Sequence, residues 1–272
     1  MSTHASEVSV GERFEFGSNW ANFLCQLDDE RVSQAEQSLK EMLGQESLTG
    51  KTFIDAGSGS GLFSLAARRL GARVHSFDFD PKSVACTKEL KKRYFADDKN
   101  WTVEEGSVLD KNYLSQIGQF DIVYSWGVLH HTGSMWQALE NVAPLVANNG
   151  QLFIAIYNDQ GRASRRWTFL KTIYNKYSIL RLPLTFYTLV RQWGLTWVRD
   201  SLAGHPLKSW HEYKKQRGMS AWHDVVDWIG GYPFEVAQPE EIFNFYKKKG
   251  FVLEQLKTCA GGIGCNQFVF AK

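Results

Sequence analysis

This sequence has few cysteines and little net charge, and each shortage argues against a class of protein. The four cysteines are scattered and form no Cys-x-x-Cys pair, which argues against a disulfide scaffold and a cysteine-rich zinc site. We therefore expect reduced thiols in a cytoplasmic protein. The formal net charge of +2 makes no case for nucleic acid as the main partner.

The hydrophobic pattern of the sequence also predicts neither a signal peptide nor a membrane-spanning helix. The first seven residues lack the basic start and apolar core of a signal peptide, so we expect no secretory leader. The best candidate for a spanning helix, residues 179–198, is interrupted by two arginines, a glutamine and a proline. We do not expect it to cross a bilayer.

The most informative segment is a glycine-spaced turn between an apolar run and a helical pattern. The run ends in Asp55, and glycines at 57, 59 and 61 follow it. Such glycines let a ligand lie against main-chain amides, but Asp55 disfavours a pyrophosphate there and favours a cationic or zwitterionic group. A second apolar run ends in Asp78, an acid suited to ribose hydroxyls. Adenosine without phosphate, joined to a charged amino-acid end, describes S-adenosyl-L-methionine.

Four segments in order, residues 54–61, 77–81, 105–110 and 120–131, resemble the motifs of class I S-adenosylmethionine-dependent methyltransferases. The last segment resembles the branch that includes ubiquinone-biosynthesis O-methyltransferases. The resemblance covers residues 50–157 and, more loosely, 236–272. It implies an α/β fold with a Rossmann-like seven-stranded sheet in the order 3-2-1-4-5-7-6. Helices would cover both faces, with a large, mostly helical insertion after strand 5.

The hydrophobic pattern agrees with a parallel sheet covered by helices. It predicts strands near 51–56, 72–78, 101–105, 120–126 and 150–157, and helices near 61–70, 81–96 and 134–147. The last of these helices is expected to end in a turn at residues 148–150. We predict three parts: an N-terminal helical cap (1–50), an S-adenosylmethionine-binding methyltransferase domain (51–157 with 236–272), and a helical substrate-recognition lid (158–235).

The matched motifs assign the cofactor site, where S-adenosyl-L-methionine would become S-adenosyl-L-homocysteine. We expect contacts from the glycine turn and the strand ends, at Asp55, Gly57, Ser58, Gly59, Gly61, Asp78, Phe79, Ser107, Val108, Ser125 and Trp126. Many relatives have Asp where this chain has Ser107, so Asp110 or a main-chain group would meet the adenine. In the N-terminal cap, Asn19 and Trp20 would close over the cofactor, unless that aromatic segment only packs on the core.

Two histidines, His130 and His131, follow the fourth strand near the expected active edge. A hydroxyl acceptor gains from a base that removes its proton, and histidine titrates near neutrality. We take His131, and after it His130, as candidate catalytic bases; in relatives a similar pair is often structural. His223 and Asp227 are four residues apart, but a third ligand is missing, so we predict no metal. His223 is instead a candidate substrate contact.

The predicted lid is basic and aromatic, with twelve lysines and arginines against three acids in residues 158–217. It leaves the fifth strand at the edge where ligands bind in open α/β sheets. Predicted acceptor contacts are therefore Tyr157, Asn158, Arg162, Arg165 and Arg166. The lid could bind an anionic small molecule, an anionic membrane that holds a lipophilic acceptor, or RNA.

We favour the small molecule, methylated most plausibly on oxygen, because three arginines lie close to the strand end. Peripheral membrane contact is the alternative, and nucleic acid is the least favoured partner. A protein that only binds S-adenosylmethionine would be a different class, recognised by cofactor binding without turnover.

Overall fold

The computed structural model describes residues 3–17, 20, 24, 27–217 and 221–272, and side chains are described within those ranges except at 214–217 and 223. No helix in these ranges is long and apolar enough to cross a membrane.

A single seven-stranded sheet organises the chain, and its order, 3-2-1-4-5-7-6, confirms the predicted topology. Strands β1 to β5 are parallel, whereas β7 runs antiparallel between β5 and β6. The strands are β1 (Thr52–Ala56), β2 (Arg73–Asp78), β3 (Trp101–Glu105), β4 (Phe120–Trp126), β5 (Val146–Tyr157), β6 (Val252–Lys257) and β7 (Cys265–Ala271).

Helices cover both faces of the sheet, as the apolar strands require. One face carries α2 (Asp29–Leu43), α3 (Leu62–Arg69) and α4 (Pro81–Phe95). The other carries α5 (Lys111–Ile117), α6 (Met135–Val142) and α11 (Pro239–Lys247). Because β1 to β5 are parallel, their carboxyl ends meet at one edge of the sheet, and the predicted motifs lie there.

Two boundaries were predicted wrongly. Helix α6 ends at Val142 rather than at 147, because Pro144 has no N–H to continue it, and Ala143–Leu145 form a 3-10 turn. Strand β5 begins at Val146 rather than at 150. The register shifts between Phe120 and Ile122 of the neighbouring strand, and Asn149 has a φ of 60°. Residues 148–150 are therefore an irregularity inside β5 and do not end a helix.

The described residues between β5 and α11 include four α-helices. They are α7 (Arg162–Lys176), α8 (Arg181–Leu202), α9 (Lys208–Arg217) and α10 (Ala221–Gly230). The first half of α8 packs on α7 through Leu184 and Tyr187, whereas its second half packs on α9 and α10 through Trp193. At the other end of the chain, a short helix α1 (His4–Ser9) belongs to a segment that we call the N-terminal strap, residues 3–17.

Candidate active site

The turn after β1 has positive φ angles and a close main-chain approach that favour glycine. Gly57 has a φ of 92°, and the amides of Gly57 and Ser58 donate to the Phe77 carbonyl at 2.9 and 3.0 Å. A Cβ added at Gly57 would lie 2.4 Å from Cγ1 of Val128. Any larger residue would therefore force apart the turns after β1 and β4. Gly61 begins α3, also with a left-handed φ of 82°.

Asp78 ends β2 beside this turn. Its Oδ2 accepts a hydrogen bond from the Gly59 amide and its Oδ1 one from the Asp80 amide, each at 2.9 Å. Burial raises the pKa of Asp78 to about 6, so the carboxylate is mostly ionised at neutral pH. Each oxygen keeps a further lone pair. Asp78 can therefore hold the turn and still accept hydrogen bonds from a ligand.

Asp55 lies beneath the glycine turn and is buried. Its Oδ2 accepts from the Ser64 hydroxyl at 2.5 Å, and that hydroxyl accepts from Ser76 at 2.7 Å. The Trp101 indole in turn donates to Ser76 at 2.8 Å. Burial raises the pKa of Asp55 to about 7. Asp55 thus ties α3 to the sheet, and its direct contact with the cofactor stays a prediction.

Four other predicted cofactor residues lie at the same edge with different side-chain roles. The Ser58 hydroxyl is 2.9 Å from that of Thr87. The buried Ser125 hydroxyl donates to the Ala56 carbonyl at 2.7 Å, so only its main chain is available to a ligand. Val108 is buried, and Trp126 is exposed.

Ser107 replaces the acid that many relatives have, and its hydroxyl accepts from the Leu109 amide at 3.2 Å. The carboxylate of Asp110, the proposed substitute, caps α5 by accepting from the amides of Asn112 and Tyr113 at 3.0 and 3.1 Å. Both bonds go to Oδ1 and leave Oδ2 out of the cap, so an adenine contact from Asp110 or from a main-chain group stays a prediction.

The N-terminal strap is pinned to the loop that follows β2. The Gly17 amide donates to Asp80 Oδ2 at 2.8 Å, and His4 Nε2 lies 3.6 Å from the same oxygen. The His4 ring also meets the edge of Phe79, with 5.6 Å between ring centroids. Burial lowers the pKa of His4 below its ordinary value. The strap therefore covers the loop that follows Asp78.

The same strap reaches the histidine pair on the other side of the cleft. Arg13 Nη1 donates to the His131 carbonyl at 2.8 Å, and its guanidinium lies 5.1 Å from the centroid of Phe79. Phe16 packs on the His131 ring at 5.0 Å. One arginine thus links the loop after β2 to the loop after β4.

Trp20 also lies over the glycine turn, since a Cβ added at Gly59 would come within 3.3 Å of its indole. This is the placement expected of a residue that closes over a ligand, although its contact with the cofactor stays a prediction. Asn19, predicted with it, lies outside the described residues.

His130 and His131 form a short 3-10 turn after β4. The His130 ring is buried, with Nδ1 accepting from the Tyr157 amide at 3.3 Å, and burial lowers its pKa well below the usual range. His131 Nδ1 lies 2.5 Å from the Pro233 carbonyl. Since a carbonyl only accepts, Nδ1 carries the proton, and Nε2 has the ring's lone pair.

The His131 imidazole is neutral at physiological pH. Burial, and then the charges of Lys171 and Arg13, lower its pKa to about 3, although the Pro233 carbonyl acts in the opposite direction. The Tyr157 ring lies 5.5 Å from that of His131 and 4.1 Å from that of His130. Of the two, His131 has the arrangement of a fixed neutral base.

Lys171 was not among the predicted site residues, because in the sequence it is only one of the twelve lysines and arginines of residues 158–217. It is 1% exposed, and its Nζ donates to the Trp228 carbonyl near the end of α10. The ammonium lies 4.4 Å from the Trp228 ring and 4.7 Å from the Phe234 ring. Burial lowers its pKa to about 7, although nearby Asp227 raises it.

A sequence signal for Lys171 existed. It lies four residues after Trp167 and three before Tyr174, both buried on α7, so it falls on that helix's inner side. A lysine in the register of a buried stripe is unusual.

The predicted acceptor contacts are distributed around this cluster. Tyr157 packs directly on it, with its ring 5.1 Å from Phe234. Asn158 accepts from Asn266 at 3.0 Å and donates to the Gly262 carbonyl at 3.4 Å, so its side chain holds the β6–β7 hairpin. His223 lies on α10, and its side chain is not described.

The three predicted arginines are exposed at the start of α7 and do not converge on one point. Arg166 lies 5.4 Å from the ring of Tyr187. Arg165 lines a cavity of about 310 Å³ with Asp159, Gly161, Ser164, Thr168 and Val236. Within the described ranges, there is no group of three or more His, Cys, Asp or Glu side chains arranged for a metal ion.

The residues at this edge fit S-adenosylmethionine. Asp78 retains lone pairs where ribose hydroxyls would be held, and Phe79 beside it offers an apolar ring. The glycines of the turn expose main chain, and Gly59 lies under the indole of Trp20. These features lie next to the histidine pair, because the Gly57 and Val128 turns are in contact.

Comparisons with known sequences agree with the motifs. Residues 54–152 match the methyltransferase domain family. Ubiquinone biosynthesis O-methyltransferase from Escherichia coli is 30% identical over 118 residues, 43% of this chain and 47% of that protein. Ribosomal protein L11 methyltransferase from Anoxybacillus flavithermus is 32% identical over 95 residues, 30% of each. The matched segments thus span less than half the length of these curated relatives.

Comparisons with solved structures show the same fold. Magnesium protoporphyrin IX methyltransferase from Synechocystis PCC 6803, solved with S-adenosylhomocysteine, aligns over 89% of this chain and 83% of its own, with a TM-score of 0.52 and 14% identity. An O-methyltransferase family protein from Burkholderia thailandensis aligns over 90% of this chain and 57% of its own, with a TM-score of 0.53 and 13% identity. These structures confirm the predicted fold, and the sequence match makes residues 54–152 a methyltransferase domain, as their resemblance to the class I S-adenosylmethionine-dependent methyltransferases predicts.

Proposed function

We propose that this protein transfers a methyl group from S-adenosylmethionine to an oxygen atom of a small-molecule acceptor. The observation that carries the proposal is the contact between Gly57 and Val128. It joins the loop that would hold the donor to the loop that presents His131, so both halves of a methyl-transfer site meet at one edge of the sheet.

On the donor side, Asp78 would hold the ribose hydroxyls and the glycine turn would lie against the amino-acid end. Bound S-adenosylmethionine supplies an electrophilic methyl group on a sulfonium. The strap and Trp20 would exclude water above it, because Arg13 and Gly17 fasten the strap on both sides of the cleft.

On the acceptor side, oxygen is favoured by the state of His131. A hydroxyl acceptor must be oriented toward the methyl group, and the unprotonated Nε2 of a neutral imidazole can accept a hydrogen bond from the O–H and hold it in place. Hydrogen bonding of Nδ1 to Pro233 fixes the ring for that role. The names of the E. coli and B. thailandensis relatives, both O-methyltransferases, support the same choice of atom.

Residues 158–235 would act as the acceptor lid, the role that the predicted three-part organisation gives them. The lid places Lys171 and its aromatic neighbours against Tyr157, and Arg165 at the nearby cavity. An acceptor with an apolar body and an anionic group would suit these contacts. When Lys171 is protonated, its charge adds to the effect of burial in lowering the pKa of His131.

A substitution at His131 tests the assignment. In His131→Asn the amide can still donate to the Pro233 carbonyl, but the lone-pair nitrogen is lost. Transfer of labelled methyl groups to phenols, with and without a carboxylate, should fall at least about a hundredfold, while S-adenosylhomocysteine affinity holds. Unchanged transfer with a lower melting temperature would make His131 structural. Cofactor binding by the unaltered protein without transfer to any phenol would favour a binding protein instead.

A further inference from the structure

The turn between α7 and α8 carries large apolar side chains on the outside of the molecule. Ile179 is 84% exposed, Leu182 77% and Phe186 65%. We call this surface the hairpin face and define it by Phe169, Tyr177, Ile179, Leu182, Phe186 and Val190, all of them exposed. Isolated exposed apolar residues are common in proteins, but a contiguous group marks an interaction surface.

Helix geometry places part of this group on one side of α8. Leu182, Phe186 and Val190 are spaced by four residues and therefore lie one above another. Over the same stretch the opposite side of α8 contributes Leu184 and Tyr187 to the packing with α7. The hairpin face thus consists of side chains that take no part in the packing between α7 and α8.

The charge around the hairpin face has one sign. Residues 160–199 contain eight lysines and arginines and no aspartate or glutamate. Seven of the eight are exposed, and only Lys171 is buried. Lys176 and Arg181 flank the apolar turn itself, and Arg191 follows Val190. Within residues 160–199, the charged side chains that accompany this apolar surface are therefore all cationic.

An apolar surface beside cations fits one kind of binding partner better than the others. A second copy of the chain would bring two cationic borders together, which opposes a symmetric pair. Nucleic acid would engage the cations but would leave the aliphatic Ile179 and Leu182 in water. An anionic lipid surface satisfies both, since phosphate headgroups meet the cations and the acyl boundary receives the apolar side chains. We propose that the hairpin face docks on anionic membranes.

Docking would orient the site toward the lipid. The inner side of α7 carries Lys171, and the end of α7 touches the N-terminal strap, where a Cβ at Gly11 would lie 2.7 Å from the Asn175 carbonyl. Val10, next to it, is 62% exposed. If the proposed methyl transfer holds, the acceptor would be a lipophilic molecule reached from the membrane. The docking itself does not depend on that transfer.

Vesicle co-sedimentation of the full chain tests the proposal. The protein should sediment with vesicles of phosphatidylcholine mixed with phosphatidylglycerol, and much less with phosphatidylcholine alone. Raising the ionic strength from about 0.1 M to about 1 M shortens the screening length from about 10 Å to about 3 Å. Binding should therefore weaken with salt.

Two pairs of substitutions, one at the start of α8 and the turn before it and one in the second half of α8, separate the hairpin face from general hydrophobicity. The double variant Ile179→Ser with Leu182→Ser should lower partitioning onto anionic vesicles at least about tenfold, which corresponds to 1.4 kcal/mol. The matched control is Leu195→Ser with Leu202→Ser, two leucines that are each 85% exposed. They project from nearly the opposite side of α8 and should leave partitioning unchanged.

Charge removal gives a second comparison. Lys176→Gln with Arg191→Gln should weaken vesicle binding, whereas Lys88→Gln with Lys92→Gln, exposed on α4, should not. The proposal would be overturned if the protein did not sediment with anionic vesicles at low salt, or if the matched controls lost as much binding. A dimer in light scattering that only the Ile179/Leu182 variant disrupts, with vesicle binding intact, would also overturn it. So would single-stranded RNA that binds more tightly than vesicles. Calorimetry with S-adenosylhomocysteine, run on the same variants, reports separately on the methyltransferase site.

Discussion

Lys171 places its side-chain amine among aromatic rings, and below its pKa of about 7 its positive charge acts on the histidines beside it. The ammonium is hydrogen-bonded to the Trp228 carbonyl and faces the rings of Trp228 and Phe234. A buried cation disfavours a second positive charge nearby. It is one reason that the pKa of His131 lies far below the value of free histidine.

Replacing Lys171 by methionine should therefore raise the pKa of His131. The rise should be partial, because burial is the larger cause of the depression. In NMR titrations from about pH 4 to about pH 8, His131 should begin to titrate in Lys171→Met, toward its ordinary value of about 6.5. Lys176→Met, exposed at the end of the same helix, is the control. A His131 resonance that titrates identically in all three proteins would remove Lys171 from this role.

Individual residues are best predicted from the sequence where a motif allows few residue types at a fixed position. Gly57, Gly59 and Asp78 fall in this class, since the turn and strand end admit few alternatives. Lys171 could not be found by counting charge, because charge says nothing about which side of a helix a residue occupies. His131 was found, but its hydrogen bond to Pro233 joins segments about a hundred residues apart, beyond any local pattern.

Among the elements, the N-terminal strap has the most direct consequence for function. Arg13 holds the strap to the His131 carbonyl and to Phe79. We therefore expect that these contacts must open for ligand exchange. Removing the guanidinium takes away charge-assisted hydrogen bonds that are each worth about 1.5–3 kcal/mol.

In Arg13→Ala, the dissociation rate of S-adenosylhomocysteine should rise about tenfold, the equivalent of 1.4 kcal/mol. Stopped-flow tryptophan fluorescence can follow it, since Trp20 lies over the glycine turn. Arg73→Ala, at an exposed position on β2, should leave the rate unchanged. A rate in Arg13→Ala that matches both the control and the unaltered protein would mean that the strap does not gate the site.

Element types and order followed from the sequence, whereas some boundaries did not. Alternating apolar runs and amphipathic stretches identified the strands and most of the helices around them. The start of β5 was missed because residues 148–150, two asparagines and a glycine, are typical of a turn. Their place in the strand depends on pairing with β4, a tertiary effect. Helix α5 was missed because its seven residues give too short a pattern to recognise.

At the scale of the whole molecule, buried ionisable groups make stability depend on pH in opposite directions. The pKa of Asp55 is raised from 3.8 to about 7 in the fold. Its contribution is present below about pH 4 and is lost as pH rises through about 7. The pKa of His131 is lowered from 6.5 to about 3, so its contribution is present above about pH 6.5 and is lost as pH falls.

Asp55→Asn should separate the two effects. The amide can keep a hydrogen bond with Ser64 but carries no charge to bury. The melting temperature of Asp55→Asn minus that of the unaltered protein should therefore be more positive at about pH 8 than at about pH 5. Asp97→Asn, at an exposed position, should show no such trend. A difference in melting temperature that does not change with pH would show that the Asp55 carboxyl does not titrate as described.

The central claim is that the edge formed by the turns after β1 and β2 binds S-adenosylmethionine. Calorimetric titration with S-adenosylhomocysteine tests it most directly, using the unaltered protein, Asp78→Ala, and Asp97→Ala as an exposed control. The unaltered protein and the control should bind alike. Asp78→Ala should bind at least about tenfold more weakly, because it loses hydrogen bonds to a charged acceptor. A folded Asp78→Ala protein with undiminished affinity, or no binding by the unaltered protein, would contradict the account.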